Sequence, residues 1–281
     1  MAGRRTFLLY TVLAFGYAFL YGPILSLVVY SFNESRLVTV WSRFSTKWYG
    51  ELLHNEQILS AAWLSLKVAA ATSTFAVVLG TLAALALTRF QRFRGRTLLS
   101  ATVTAPLVMP EVITGLSALL LFVAMEEVLG WPPGRGTTTL VITHVTFCMS
   151  YVTVVVRSRL SQVDVSIEEA ALDLGARPAK VFFVITLPMI APALAAGWLL
   201  AFTLSLDDLV ASSFVSGPGS TTLPMVVYSS VRLGVSPQIN ALATLIVVIV
   251  TLAISVAGWM MYRRDVLRQR DVQRALAAEK G

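Results

Sequence analysis

Residues 157–189 read RSRLSQVDVSIEEAALDLGARPAKVFFVITLPM, a polar-to-apolar passage set between two strongly apolar runs. It is too apolar and too ordered for a linker. Ser166 followed by Glu169 fits a capping box, in which a hydroxyl and a carboxylate satisfy the first free N–H groups of a helix. Ile167, Ala170, Ala171 and Leu174 then recur at helical spacing. Gly175 stands where a helix closes through a left-handed residue, and Pro178 lies just beyond it. A second short apolar piece, Val181 to Leu187, runs into Pro188. The passage therefore predicts a short helix, a glycine turn, and a second helical piece that leads into the next apolar run.

Outward from this passage the chain is almost wholly apolar. Of its 281 residues 56% are hydrophobic and 13% charged, about half the charge of a soluble domain, and the mean hydropathy is +0.75. These values describe an all-α integral membrane protein. Apolar runs predict six transmembrane helices: Phe7–Tyr30, Ala61–Thr88, Leu98–Met125, Thr138–Val156, Ile190–Val215 and Ile239–Tyr262. They fill a single membrane domain over residues 1–281, with residues 157–189 as a loop within it. The first run follows Arg4 and Arg5 but exceeds a signal-peptide core and lacks a cleavage site, so it reads as a retained span. One cysteine, Cys148, excludes a disulfide framework. Two histidines, His54 and His144, are too few and too distant for a metal site, and His144 reads as a polar group in helix packing.

Basic residues cluster at span ends rather than along one face, which argues for a topology signal and against nucleic acid. With the N-terminus in the cytoplasm, sixteen Lys and Arg fall inside and five outside, Lys67 lying near a membrane end. That bias predicts cytoplasmic termini at both ends and a cytoplasmic 157–189 loop. Outside lie residues 33–60, the turn at Trp131-Pro132-Pro133, and a Gly/Pro-rich loop over 216–238.

Acids inside a bilayer are costly and become functional candidates. Glu111 follows Pro110, and with Pro106 four residues earlier the third span should kink or open. Asp207 and Asp208 lie in the fifth span. At about 1.5 Å per residue, Glu111 sits roughly 20 Å and Asp207 roughly 25 Å from the cytoplasmic ends of their spans. Three carboxylates at similar depth suit a throat for cations. The competing reading pairs one Asp with Lys67 and gives the other to a helix break. Trp41, Trp48 and Tyr49 offer aromatic faces near the outer surface, either for ammonium groups or as an interfacial belt.

Glu169-Ala170-Ala171, Gly175, Ile185 and Leu187-Pro188 stand at the spacings of the EAA signature, and the chain resembles permease subunits of bacterial ATP-binding-cassette (ABC) importers. That resemblance implies the type I ABC importer permease fold, with residues 157–189 as a coupling loop docked on a cytoplasmic ATPase. The residues it implies for coupling are Glu168, Glu169, Ala170, Ala171 and Gly175. Glu169 would meet the partner, close its own capping box, or do both.

Further stretches resemble the polyamine branch, closest to the second permease subunit of putrescine importers. They are Tyr30-Ser31-Phe32-Asn33, the run from Ala105 to Gly115, the run from Phe202 to Asp208, the run from Phe214 to Gly219, and Thr222-Leu223-Pro224. The resemblance implies a bacterial inner-membrane, multi-pass subunit that carries putrescine or spermidine inward by alternating access. Its partners would be an ATPase dimer, a second and different permease, a periplasmic polyamine-binding protein and membrane lipid. Glu111, Asp207, Asp208, Trp48 and Tyr49 would touch the cargo. One departure is Glu111 where the branch leads one to expect Asp, which keeps the charge on a longer arm.

No G-x-x-x-x-G-K-[ST] segment is present, so ATP and its Mg are expected in the partner and no cofactor in this chain. A gradient-driven transporter would leave the signature unexplained. A membrane enzyme lacks a nucleophile–His–acid set.

Overall fold

The computed structural model describes residues 2–36, 40–90, 92–233 and 236–278. In chain order the helices are α1 (Ala2–Tyr30), α2 (Lys47–Leu53), α3 (Glu56–Arg89), α4 (Arg96–Val108), α5 (Glu111–Leu129) and α6 (Thr137–Leu160). They continue with α7 (Val165–Asp173), α8 (Pro178–Val181), α9 (Leu187–Asp207), α10 (Val210–Val215), α11 (Leu223–Leu233) and α12 (Pro237–Ala278). A π-helical segment, Phe182–Thr186, joins α8 to α9. No strand occurs among the described residues, so the all-α class holds.

Five stretches are long and apolar enough to cross a bilayer: Thr6–Tyr30, Glu56–Arg89, Glu111–Leu129, Thr137–Leu160 and Pro178–Asp207. The sixth expected span falls within α12, where Pro237–Leu252 is apolar.

The opening expected at Pro106 and Pro110 occurs, and two other expectations change in detail. The third span is not one rod: it stops at Val108 and resumes at Glu111, because neither Pro106 nor Pro110 can donate to the helix ladder. The fifth span starts at Pro178, well before Ile190, and breaks at Asp208. Helix continues through Pro188 because the widened π turn just before it accommodates a residue without an N–H. The outer 216–238 stretch, expected as loop, contains α11, an amphipathic helix whose apolar residues are interleaved with Tyr228, Ser229 and Arg232.

The chain divides into two compact units, Gln57–Ser229 and a second made of Met1–Glu56 with Ser230–Gly281. In the first, α6 packs on α9 and α10 packs on α5. Small residues let these helices approach closely, as expected where lipid removes the hydrophobic drive between them. A Cβ on Gly80 would lie 2.9 Å from the Val152 side chain, and one on Gly197 would lie 3.3 Å from it. Val152, Cys148, Val156, Leu160, Ile190 and Ala201 form the buried centre. In the second unit α12 packs on α1 and α2, and Gln238 Nε2 donates to Glu51 at 3.0 Å.

Candidate functional site

The two helix breaks face one cavity of about 470 Å³. On one side Met109 and Pro110 take extended conformations (ψ 137° and 136°) between α4 and α5. Glu111 is then the first residue of α5 and is exposed, where the helix dipole favours a negative charge. On the other side Asp208 is extended (ψ 122°) between α9 and α10. Glu111, Asp207 and Asp208 all line the cavity, with Pro106, Phe147 and Tyr151 on its walls. Close approach of α5 to α10 depends on Gly115: a Cβ there would lie 2.8 Å from the Phe214 ring and 3.1 Å from the Ala211 Cα.

The adjacent aspartates have different surroundings. Asp207 is exposed on the cavity. Asp208 is 9% exposed, and its carboxylate accepts from the Ala211 N–H at 3.3 Å and the Ser212 N–H at 2.7 Å. It thereby satisfies the free donors at the start of α10. His144, fully buried on α6, places Nε2 3.2 Å from Asp208 Oδ2. The same ring contacts Ser205 Oγ at 2.7 Å through Nδ1 and Ser212 Oγ at 3.1 Å through Nε2. His144 thus ties α6 to both sides of the α9–α10 break, which is the packing role its sequence context suggests. The helix-break alternative applies to Asp208. Among the described residues Lys67 pairs with no acid; its Nζ lies 5.1 Å over the Trp63 ring.

Trp48 and Tyr49 belong to the other unit and are engaged within it. Trp48 is 3% exposed and its Nε1 donates to the Asn33 carbonyl at 2.6 Å. Lys47 Nζ stands 5.0 Å over its ring, so one aromatic face already holds a cation of the chain. Tyr49 Oη is 2.7 Å from Ser31 Oγ, and its ring packs on Phe32. Asn33 is 1% exposed; it donates to the Val40 carbonyl and accepts from the Ser42 N–H. These contacts account physically for Tyr30-Ser31-Phe32-Asn33 as a structural corner.

The 157–189 loop folds as a short helix and a glycine turn. Its cap is not the one expected: α7 begins at Val165, and Asp164 rather than Ser166 is the N-cap, accepting from the Ser166 N–H at 3.0 Å. Asp164 precedes Ser166 by the two positions a carboxylate needs to reach an N2 donor, which leaves Ser166 inside the first turn. Hydrogen bonds from Ser166 hold the Asp164 carboxyl below the usual carboxylate range. Gly175 has φ +84°, the left-handed closure expected of it.

α7 buries no residue. Glu169 and Ala170 are exposed and Ala171 is half-buried. Ile167 and Leu172 are also exposed, and Leu174 is 90% exposed. Glu168 points the other way. Its Oε1 lies 2.9 Å from Arg89 Nη2 at the end of α3 and accepts from Thr186 Oγ1 at 2.9 Å. Both charged side chains are more than four-fifths shielded. The two neighbouring glutamates therefore separate into an inward tie and an outward group. Arg89 and Thr186 give no local signal because they lie 79 and 18 residues from Glu168, on other elements of the chain. His144 was visible, but its partners on α9 and α10 carried no signal.

Residues 76–265 match the family described as "Binding-protein-dependent transport system inner membrane component". The chain is 61% identical over 264 residues to the putrescine transport system permease protein PotI of Escherichia coli K12, covering 94% of each chain. It is 44% identical over 247 residues to the spermidine/putrescine transport system permease protein PotC of the same organism, covering 88% of this chain and 90% of that one. Its fold superposes on a crystal structure of a bacterial ABC transporter involved in import of the acidic polysaccharide alginate. The TM-score is 0.71 at 19% identity, over 93% of this chain and 96% of the other. The methionine ABC transporter MetNI superposes with a TM-score of 0.59 at 16% identity, over 73% of this chain and 94% of the other. With five helices long and apolar enough to cross a bilayer, the EAA signature on an exposed helix, and a family match over most of its length, this chain belongs to the inner-membrane permease subunits of binding-protein-dependent ABC importers.

Proposed function

We propose that this subunit carries polyamines, putrescine foremost, from periplasm to cytoplasm, and that Glu111 and Asp207 are its cargo-facing groups. The observation that carries the reading is the pair of helix breaks that bring both carboxylates to one cavity. An open helix offers backbone carbonyls as well as charge, so an ammonium group leaving water finds acceptors of both kinds. Asp208, committed to α10 and His144, shapes the break and leaves Asp207 free. The high identity to permeases of putrescine and spermidine/putrescine systems supports the cargo class.

The exposed α7 meets a cytoplasmic ATPase, with Glu169 and the small Ala170 and Ala171 at the contact and Gly175 setting the turn. ATP and Mg bind in that partner, which acts as a dimer. A second, different permease completes the pathway, and a periplasmic binding protein delivers cargo to the outer loops, including Gly217-Pro218-Gly219. Both termini lie in the cytoplasm in this reading, which the charge bias supports. ATPase closure pulls α7, and the helices rock between inward- and outward-open states.

Purification of the tagged chain in mild detergent, with copurifying proteins identified by mass spectrometry, tests this assembly. A cassette ATPase and a second permease are expected. Recovery of the chain alone, together with gradient-driven uptake after reconstitution, would overturn it.

A further inference from the structure

Away from the carboxylate cavity, a second hollow of about 740 Å³ lies where the end of α3, the connection into α4, and the end of α6 meet. Arg92, Arg96 and Arg157 line it, and among the described residues no carboxylate does. An adjoining hollow of about 300 Å³ shares Arg96 and Arg157 and adds Thr97 and Ser100, again without an acid. Among the described residues none of the three arginines enters an ion pair. Arg96 gives one long hydrogen bond to the Leu87 carbonyl, at 3.4 Å, and has further N–H groups to give. Three guanidinium groups around one space repel one another unless an anion lies between them.

Other features of the hollow are complementary to an anion. Thr88 lines it, and its Oγ1 is buried without a hydrogen-bond partner. Ser158 brings a further hydroxyl, while that of Ser161 donates to the Ser158 carbonyl at 2.9 Å. Arg96 opens the 13-residue α4; its own N–H is given to the Phe93 carbonyl at 3.3 Å, and the positive end of the helix dipole falls at this residue. Gly95, at φ +89°, makes the tight entry that places Arg96 there. A cationic cargo is excluded by this lining.

We propose that this hollow binds a phosphate group, that of an anionic membrane phospholipid. Guanidinium forks suit phosphate oxygens, and basic pockets between membrane helices on the cytoplasmic side take lipid headgroups. The apolar wall formed by Leu87 and the half-exposed Val154, with Leu98 exposed nearby on α4, suits the start of an acyl chain. The site is separate from the coupling contacts of α7 and from the carboxylate cavity.

The test uses the whole transporter in nanodiscs of equal phosphatidylcholine and phosphatidylglycerol, with retained lipid read by native mass spectrometry. The variant R92Q/R157Q is compared with R94Q/R263Q, which removes the same charge outside the hollow. Each arginine contributes about fivefold to anionic-lipid affinity. R92Q/R157Q should therefore retain phosphatidylglycerol roughly twenty-fivefold more weakly, with R94Q/R263Q close to wild type. The charge-preserving R92K/R157K should fall between. If R92Q/R157Q does not purify as a monodisperse complex, R157Q alone is read the same way. A second arm titrates inorganic phosphate. Thermal stabilisation lost in R92Q/R157Q, without selective lipid retention, would support the phosphate site and assign it a soluble source. Equal lipid retention in both charge variants, with no phosphate response, would overturn the proposal.

Discussion

Glu168→Ala should loosen α7 without touching its outer face. Arg89 Nη2 and Thr186 Oγ1 both reach Glu168 Oε1 at 2.9 Å, with exposures of 17% and 15% for the charged side chains. Arg89 Nε is already buried without a partner. Removing the carboxylate leaves a shielded guanidinium and a buried hydroxyl with nothing to bond. For a partly buried charged hydrogen bond that costs about 2 kcal/mol, below the roughly 3–5 kcal/mol of a fully buried pair. Because α7 itself buries no side chain, few other contacts make up the loss. A 2 kcal/mol change shifts a local opening equilibrium roughly thirtyfold.

Hydrogen exchange over 165–173 reads that opening directly. The exchange rate should rise by about this factor in Glu168→Ala. Arg89→Ala should act similarly, and the double variant should cost clearly less than the sum. Glu169→Ala, which removes an exposed group, should leave exchange unchanged in the isolated subunit while weakening ATPase retention. Unchanged exchange in Glu168→Ala, or additive effects in the double variant, would refute the assignment of Glu168 as an internal tie.

Other expectations concern the cavity and the cap. His144→Ala leaves Asp208 buried beside two serines and should destabilise the subunit by about 2–4 kcal/mol, read as a lower Tm in detergent; an unchanged Tm would deny it the bracing role. Gly115→Val drives a side chain into Phe214 and the α10 backbone, so uptake should fall several-fold while α7 exchange stays constant. The Asp164 cap follows a pH rule. Its folded pKa is lowered, so its stabilisation is fully present above the ordinary carboxylate value of about 3.9 and fades as pH falls through the lower folded value. Asp164→Asn keeps a capping oxygen that does not titrate, so exchange of α7 should lose its acid dependence in the variant. A wild-type profile flat through that acid range would contradict the cap.

Much of the architecture is readable because membrane spans announce themselves through apolar length, and because Gly175, Pro106 and Pro110 punctuate the backbone locally. The EAA spacing is likewise local, so α7 and its turn could be read from one line of sequence. The details that failed are those set by geometry over distance. Asp164 and Ser166 are both good caps by composition, and only the register of the helix decides between them. The roles of Glu168 and Glu169, and of Asp207 and Asp208, are indistinguishable in sequence; the glutamates diverge because adjacent helix residues point about 100° apart, and the aspartates because α9 ends at Asp207 and Asp208 turns extended. Trp48 looked like an open aromatic face because nothing in its neighbourhood reveals the Asn33 carbonyl beneath it.

Putrescine uptake into proteoliposomes holding the full transporter and its binding protein separates cargo-facing Glu111 and Asp207 from a structural Asp208. Loss of a charge-assisted hydrogen bond of about 1.5–3 kcal/mol predicts that Glu111→Gln and Asp207→Asn each lower uptake by roughly ten- to a hundredfold. The ATPase should copurify as before. Asp208→Asn should instead reduce the yield of folded complex. Wild-type uptake in both Glu111→Gln and Asp207→Asn would contradict the account.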